Sequence, residues 1–311
     1  MADAAPVKRV LVTGANKGIG LAVVAALLAE RADVHVVLGA RDAARGAAAR
    51  ATLRAADAAR CTVLQLDVTS PASVAAAAAA LGTQPPLYGL VNNAGLWGAP
   101  AETLATNLRG VQRVTDALLL AALLQPGARV VNVSSGMAPA FVAKCTAARQ
   151  RALTTAAAST AEVARMADEF LAAHEGASAD GGAALGALGY PPADADGQAA
   201  YGASKALLNL HTLTLARQLG PRAVVTACSP GFIDTDMTQR FFSAARPPAA
   251  AGALPPAAAT RVVLHLLFGA AAGSSGHYFG SDARRSPLDR YRSPGEPEYA
   301  PEPAAGGGPA E

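Results

Sequence analysis

Short β-branched and aliphatic runs alternate with longer alanine- and leucine-rich stretches along most of the chain, and few folds accept that alternation. The predicted strands are Val7–Thr13, Asp33–Gly39, Cys61–Leu66, Leu87–Asn92, Ala128–Ser134, Ala223–Cys228 and His277–Gly280. Helices are predicted between them at Gly18–Glu30, Glu102–Leu124, Tyr201–Leu219 and Ala257–Phe268. Strands apolar along their whole length, each followed by a helical stretch, predict a parallel sheet covered on both faces: a doubly wound α/β unit of about seven strands. The tract Ala75–Ala80 looks like low complexity, but alanine has the highest helix propensity and the tract reads as an ordinary helix. In such sheets ligands bind beyond the carboxyl ends of the strands.

With 311 residues, 51% hydrophobic and 16% charged, the chain has enough apolar mass for one large domain, expected over residues 7–280. Residues 136–200 interrupt the alternation. A helical stretch, Ala147–Glu175, gives way there to a loose Gly-, Ala-, Pro- and Asp-rich segment, so a helical insertion is expected between a strand and the helix carrying Tyr201. From Ser281 onward Pro, Gly, Arg and Glu dominate, and residues 281–311 are expected to be a mobile tail. A net charge of +3 with scattered basic residues argues against nucleic acid or an anionic membrane as partner. Cys61, Cys145 and Cys228 lack the spacing of a disulfide framework or a metal site, and no apolar run reaches the length of a membrane span. Met1–Pro6 leaves no room for a targeting peptide before the first strand, so a reducing, cytoplasmic location is expected.

Strand one runs into Thr13-Gly14-Ala15-Asn16-Lys17-Gly18-Ile19-Gly20, with a helix starting at about Gly18. A glycine-rich strand-to-helix turn lets backbone approach a pyrophosphate, whose charge then meets the helix N-terminus. A tight turn alone would use the same residues; its place after strand one favours a dinucleotide. After strand two, Arg41 stands where an acidic side chain would bind an adenosine 2′-hydroxyl, and a guanidinium there suits a 2′-phosphate. Arg45 and Lys17 add charge, so NADP(H) is expected over NAD(H); the competing reading is an exposed Arg41–Asp42 pair at a helix start.

Tyr201 and Lys205, in Tyr-Gly-Ala-Ser-Lys, lie one helical turn apart on one face. A phenol titrates near 10, and a nearby ammonium favours its phenolate, which makes the pair a tuned proton donor. With six Tyr and four Lys in the chain, such a pair is expected by chance far less than once.

Taken in order, Thr13–Gly20, Asn92-Asn93-Ala94-Gly95, Ser134-Ser135, Tyr201–Lys205 and Pro230-Gly231 resemble the short-chain dehydrogenase/reductase family, over about residues 7–280. The Gly-Ala-Asn-Lys-Gly-Ile-Gly turn, Ala40–Gly46, Val130–Ser135 and the long insert are most similar to its monomeric NADPH-dependent carbonyl reductases. The resemblance implies a Rossmann-type sheet, hydride transfer from a nicotinamide and proton transfer from Tyr201. It implies that Lys205 holds the nicotinamide ribose and lowers the tyrosine pKa, and that Ser135, the second of the two serines, holds the substrate oxygen. Asn107 matches the family's relay asparagine, but the stretch from Asn93 to Asn107 is shorter than usual, so the loop and first helical turns there must be rebuilt. The cofactor set implied is Gly14, Asn16, Lys17, Gly18, Ile19, Gly20, Arg41, Arg45, Asp67, Asn93, Ala94, Gly95, Tyr201, Lys205, Pro230, Gly231, Ile233 and Thr235.

Trp97, Gly136, Met137, Phe141 and Phe232 join Ser135 as candidate substrate contacts, with Phe241 and Phe242 beyond them. Apolar walls suit hydrophobic carbonyl compounds, although any one of these aromatics reads equally well as core. Gly136 stands where the family's nearest members carry something bulkier. The insert is similar to the one that covers the subunit-contact helices in monomeric members, which implies a monomer. Three readings stay open beside a general ketone, aldehyde and quinone reductase: a dedicated terpenoid- or alkaloid-ketone reductase, a non-catalytic NADP-binding sensor or scaffold, and a methyltransferase, which leaves Tyr201 and Lys205 unexplained.

Overall fold

The computed structural model describes residues 7–180 and 182–300; the N-terminal residues 1–6 and the end of the expected tail, 301–311, lie outside them. Eight strands form one sheet: β1 (Lys8–Val12), β2 (Val34–Ala40), β3 (Cys61–Gln65), β4 (Leu87–Asn92), β5 (Leu124–Val133), β6 (Ala223–Cys228), β7 (Tyr278–Phe279) and β8 (Arg285–Ser286). Their order is β3-β2-β1-β4-β5-β6-β7-β8; the first seven are parallel, and β8 is antiparallel to β7. The chain reverses its direction of build between β1 and β4, the switch point at which a crevice opens beyond the strand ends.

Residues alternate faces along β1, which decides what each face meets. Val10 and Val12 pack with Val23, Val24 and Leu27 of α1 (Gly18–Glu30), whereas Leu11 packs with residues of the opposite layer. In chain order the remaining helices are α2 (Ala43–Ala51), α3 (Ala55–Ala58), α4 (Pro71–Gly82), α5 (Pro100–Leu104) and α6 (Val111–Leu120). The insert contributes α7 (Met137–Val142), α8 (Ala147–Thr154), α9 (Thr160–Asp180) and α10 (Ala183–Ala187). Then come α11 (Gln198–Leu219), the helix of Tyr201, and α12 (Thr260–Leu264). With α1, α12 covers one face; α4, α6 and α11 cover the other.

Local chemistry sets several of these starts. Ser70 caps α4 and is followed by proline at the first helical position; Ser159 and Glu162 form a reciprocal capping box on α9. The Asp194 carboxylate accepts from the N–H groups of Gln198 and Ala199 at 2.6 and 2.8 Å, fixing the first turn of α11 just before Tyr201. The insert has its own core, in which Phe141, Met166, Phe170, Leu185 and Tyr190 pack on Ala199, Ala203 and Leu207 of α11. A buried polar chain runs from Thr115 and Asn92 through Asn132 to Thr212, at 3.2, 2.9 and 2.9 Å, and pins α6 and α11 to the sheet.

Three expectations change. The helix expected over Glu102–Leu124 is α5, a π-helical turn at Ala105–Gly110, and α6, after which β5 starts early at Leu124. Asn107 lies within this π turn. The helix expected over Ala257–Phe268 is similarly divided into a 3-10 turn, α12 and a π turn. Most consequential, residues 281–300 are folded: they form β8 and a strap held by Arg292, whose side chain is 5% exposed. Composition alone reads this stretch as mobile because it offers few apolar residues, and the stretch is held instead by a buried polar anchor. No helix of the described residues is long and apolar enough to cross a membrane.

Candidate active site

Two cavities adjoin at the carboxyl end of the sheet. One is a cleft of about 730 Å³ that opens over the glycine turn. Gly14 and Gly18 adopt left-handed backbone, φ +62° and +56°. A Cβ on Gly20 would lie 2.5 Å from Asn93 Nδ2 and 2.7 Å from the Gly14 carbonyl oxygen, so the first turn of α1 folds this tightly only with glycine. Thr13 Oγ1 accepts from the N–H groups of Asn93 and Ala94, both at 3.0 Å, and Asn93 Nδ2 donates to the Thr13 and Gly14 carbonyls, which laces the turn after β4 to the turn after β1.

Asn92 points away into the buried polar chain, whereas Asn93 borders the cleft with its Nδ2 spent on the Thr13 and Gly14 carbonyls. Ala94 and Gly95 still border the cleft, as do Gly14, Asn16, Lys17, Gly18, Ile19, Gly20, Arg41, Arg45, Asp67, Pro230 and Thr235. Gly231 and Ile233, expected there, line the neighbouring cavity.

Charge is unevenly placed along the cleft. Asp42 turns its carboxylate to the N–H of Arg45 at 3.0 Å and caps α2, while Arg41 and Arg45 form no salt bridge with any described residue. Arg41 and Asp42 thus make no direct ion pair, and Arg41 borders the cleft. Lys17 reaches across the mouth to Asp236, 2.5 Å away, both side chains exposed.

At the other end, Tyr201 and Lys205 are buried on α11. Tyr201 hydrogen-bonds with Ser135, and burial pushes its pKa up to about 12 against that bond. Lys205 Nζ donates to the Val133 carbonyl at 2.8 Å and lies 5.8 Å from the Tyr201 ring centroid; burial pushes its pKa down to about 8. The net lowering of the tyrosine pKa expected from the resemblance is absent in the cofactor-free chain, because loss of solvation outweighs every charge-stabilising influence on the phenol. The phenol is held protonated, the form that a proton donor needs. An ammonium carries three donors, and Lys205 uses one on the protein while bordering the cleft.

Asn107 sits in the π turn, fully buried. Its Oδ1 accepts from the Leu96 N–H at 2.9 Å, and its Nδ2 donates to the Leu96 carbonyl at 2.9 Å and Ser204 Oγ at 3.0 Å. These three bonds clamp the loop after β4 to the helix of Tyr201. Ser134 Oγ donates to the Lys205 carbonyl at 3.3 Å, leaving Ser135 as the serine beside the phenol.

The second cavity, about 520 Å³, is lined by Ser135, Gly136, Met137, Tyr201, Phe232 and Phe241, all but the last two brought by β5, α7 and α11. Trp97 borders both cavities. Its ring stacks on Tyr201 at 4.5 Å between centroids and 8° between planes, its Nε1 donates to the Asp196 carbonyl, and the Arg240 guanidinium lies 5.2 Å from its centroid. Phe141 does not reach this cavity: it is 5% exposed within the insert's core, its ring centroid 6.1 Å from those of Phe170 and Tyr190. Helix α7 turns it inward against Gly202, away from the serines. Phe242 is likewise absent from the lining and packs on Phe232.

Sequence reasoning missed Gln198, Met237, Tyr278, Tyr291 and Pro294 in the second cavity and Asp236 and Arg240 in the first. For Tyr291 a signal existed, an aromatic flanked by arginines within a Pro-rich stretch. The segment 243–256 is docked by a parallel bridge between Ile233 and Leu254.

The profile of a family described as short chain dehydrogenase matches residues 8–148, and one described as enoyl-(acyl carrier protein) reductase matches residues 130–276. Over 253 residues the chain is 33% identical to carbonyl reductase (NADPH) 3 of Rattus norvegicus, covering 74% of this chain and 83% of that protein. Carbonyl reductase (NADPH) 1 of Homo sapiens is 32% identical over 251 residues, with 73% and 82% covered. Among solved structures, menthone neomenthol reductase from Mentha piperita superposes with a TM-score of 0.69 at 25% identity, over 89% of this chain and 99% of that one. Sustained over nearly three quarters of its length, this likeness makes the chain a member of the short-chain dehydrogenase/reductase family.

Proposed function

We propose that the chain is an NADPH-dependent reductase of ketones, aldehydes and quinones. The observation that carries the reading is a buried, protonated Tyr201 hydrogen-bonded to Ser135, placed where a cation-lined cleft meets an apolar cavity. The relatives named above as NADPH carbonyl reductases support it. Gly14 to Gly20 and the N-terminus of α1 would take the pyrophosphate, Arg41 and Arg45 the 2′-phosphate, and the spare donors of Lys205 the nicotinamide ribose. When bound, the dinucleotide supplies the hydride.

The chain's own residues do the rest. Ser135 Oγ holds the carbonyl oxygen, and Tyr201 gives it a proton as it becomes an alkoxide. Trp97, stacked on the phenol, keeps its ring oriented, and the Lys205 ammonium lies close enough to stabilise the phenolate left behind. Asn107 positions the helix of Tyr201 through Ser204.

The test follows NADPH oxidation across quinones, aromatic aldehydes and cyclic ketones, with NADH in parallel. Turnover with NADPH, and a loss of about 10²–10⁴-fold in kcat in Tyr201→Phe, are expected; near-full activity in that variant would remove the mechanism. Tight NADPH binding with no turnover would favour the sensor. Arg41→Ala should raise the NADPH dissociation constant more than that of NADH, and equal changes would end the 2′-phosphate assignment. The likeness to menthone neomenthol reductase supports a second reading, a dedicated terpenoid-ketone reductase, which activity confined to menthone-like ketones in the panel would favour.

A further inference from the structure

Gly136, the residue directly after Ser135, has no side chain to present to the substrate, and another part of the chain occupies that place. A Cβ built on Gly136 would lie 2.7 Å from Cε2 and 3.2 Å from Cδ2 of Tyr291. The Tyr291 ring thus rests where a residue-136 side chain would project. Around them the backbone is held firmly: Gly136 N–H donates to Ser229 Oγ at 3.1 Å, and Tyr278 Oη donates to the Ser135 carbonyl at 3.0 Å.

Nothing about the strap that delivers Tyr291 is casual. Arg292 donates through Nε to Ser286 Oγ at 2.9 Å and through Nη1 to the Glu296 carbonyl at 2.8 Å, and its Nη2 pairs with Asp282. Asp282 Oδ2 also accepts from the Gly295 N–H at 3.0 Å, and Glu296 caps the turn through the Ser293 N–H at 2.9 Å. Breaking a buried pair is costly, so the ring's neighbour in sequence is fixed even though Tyr291 itself is 55% exposed. Tyr291, Arg292 and Pro294 all border the cavity.

We propose that Tyr291 is a specificity-determining residue: its ring forms the wall met by the substituent of the carbonyl carbon that points past Gly136. The inference rests on the carbonyl-reductase reading and names the substrate class within it. An aldehyde can turn its hydrogen toward that wall and gains nothing from it. A ring ketone carries carbon on both sides of the carbonyl, and one side packs on Tyr291, so fused-ring and other cyclic ketones are preferred. Gly136 and Tyr291 act as a pair, the missing side chain admitting the aromatic ring.

The test compares kcat/KM for α-tetralone and for benzaldehyde in the full chain with NADPH. In Tyr291→Ala the tetralone-to-benzaldehyde ratio should fall about tenfold, the loss expected of one well-packed aromatic contact. Gly136→Ala should lower the ratio in the otherwise unchanged chain by displacing the ring, yet raise it in the Tyr291→Ala background by filling vacated space. An unchanged ratio in Tyr291→Ala, or the same effect of Gly136→Ala in both backgrounds, overturns the proposal and leaves the reductase reading intact. If the unaltered chain reduces neither compound, the reductase reading is decided by the wider panel, and the wall is judged by binding instead. Trp97, the only tryptophan of the chain, borders the cavity, so quenching of its emission reports α-tetralone in the presence of NADP. Weaker binding in Tyr291→Ala then supports the wall, and equal affinity overturns it.

Discussion

Lys205 gives up its hydration for a single carbonyl partner, and the cost of that exchange is readable as a pH dependence. Its pKa stands at about 8 in the folded chain against an ordinary 10.5, so between those values the unfolded chain binds more protons than the folded one. Stability rises with pH wherever that holds. The contribution is therefore present in full above pH 10.5 and lost as pH falls through about 8. In the cofactor-free chain, the melting temperature should rise from pH 8 to pH 10 relative to that of Lys205→Met, as scanning calorimetry of both would show; parallel curves would mean that the ammonium is better compensated than its one bond implies. The residue types and spacing of Tyr201, Lys205 and Ser135 were legible in the sequence because they share a helix or end a strand. The electrostatic balance between them was not, since burial is a property of the assembled site.

Helix α7 and the π turn show where reading by element works and where it stops. Most strand positions were legible from apolar runs and most helix positions from alanine and leucine, and β4, β6 and α1 match their expected bounds. The direction of one side chain was not legible: Phe141 follows Ser135 by few residues, yet a helical turn sends it into the insert. Phe141→Ala should destabilise the fold by about 3–5 kcal/mol through the cavity it leaves, with KM for the carbonyl substrate unchanged. Urea unfolding and initial-rate kinetics on the same preparation check both halves, and a large rise in KM without destabilisation would return Phe141 to the pocket. The π turn was invisible for a different reason. Composition there is ordinarily helical, and nothing in it marks the turn in which Asn107 reaches both Leu96 and Ser204.

For the whole molecule, the insert decides which surfaces are available to a second copy. Its core buries the outer face of α11 against Phe141, Met166 and Phe170, a face that would otherwise present Ala199, Ala203 and Leu207 to solvent. A monomer is expected on that ground, and light scattering across a range of concentrations should return the mass of one chain, 31.0 kDa; a stable tetramer would require an interface elsewhere. The doubly wound parallel sheet followed from the alternation of elements, whereas the eighth strand and its strap did not, being held by a buried guanidinium instead of apolar mass.

The strap also sets a timetable for the protein during its synthesis. Every residue bordering the cofactor cleft lies at or before Pro256, but the wall of the neighbouring cavity is complete only once Pro294 has emerged. Domains form from the N-terminal side as the chain leaves the ribosome, and a ligand that binds only folded chain stabilises it. The nascent chain thus completes the lining of its dinucleotide cleft before the wall to which Tyr291 belongs.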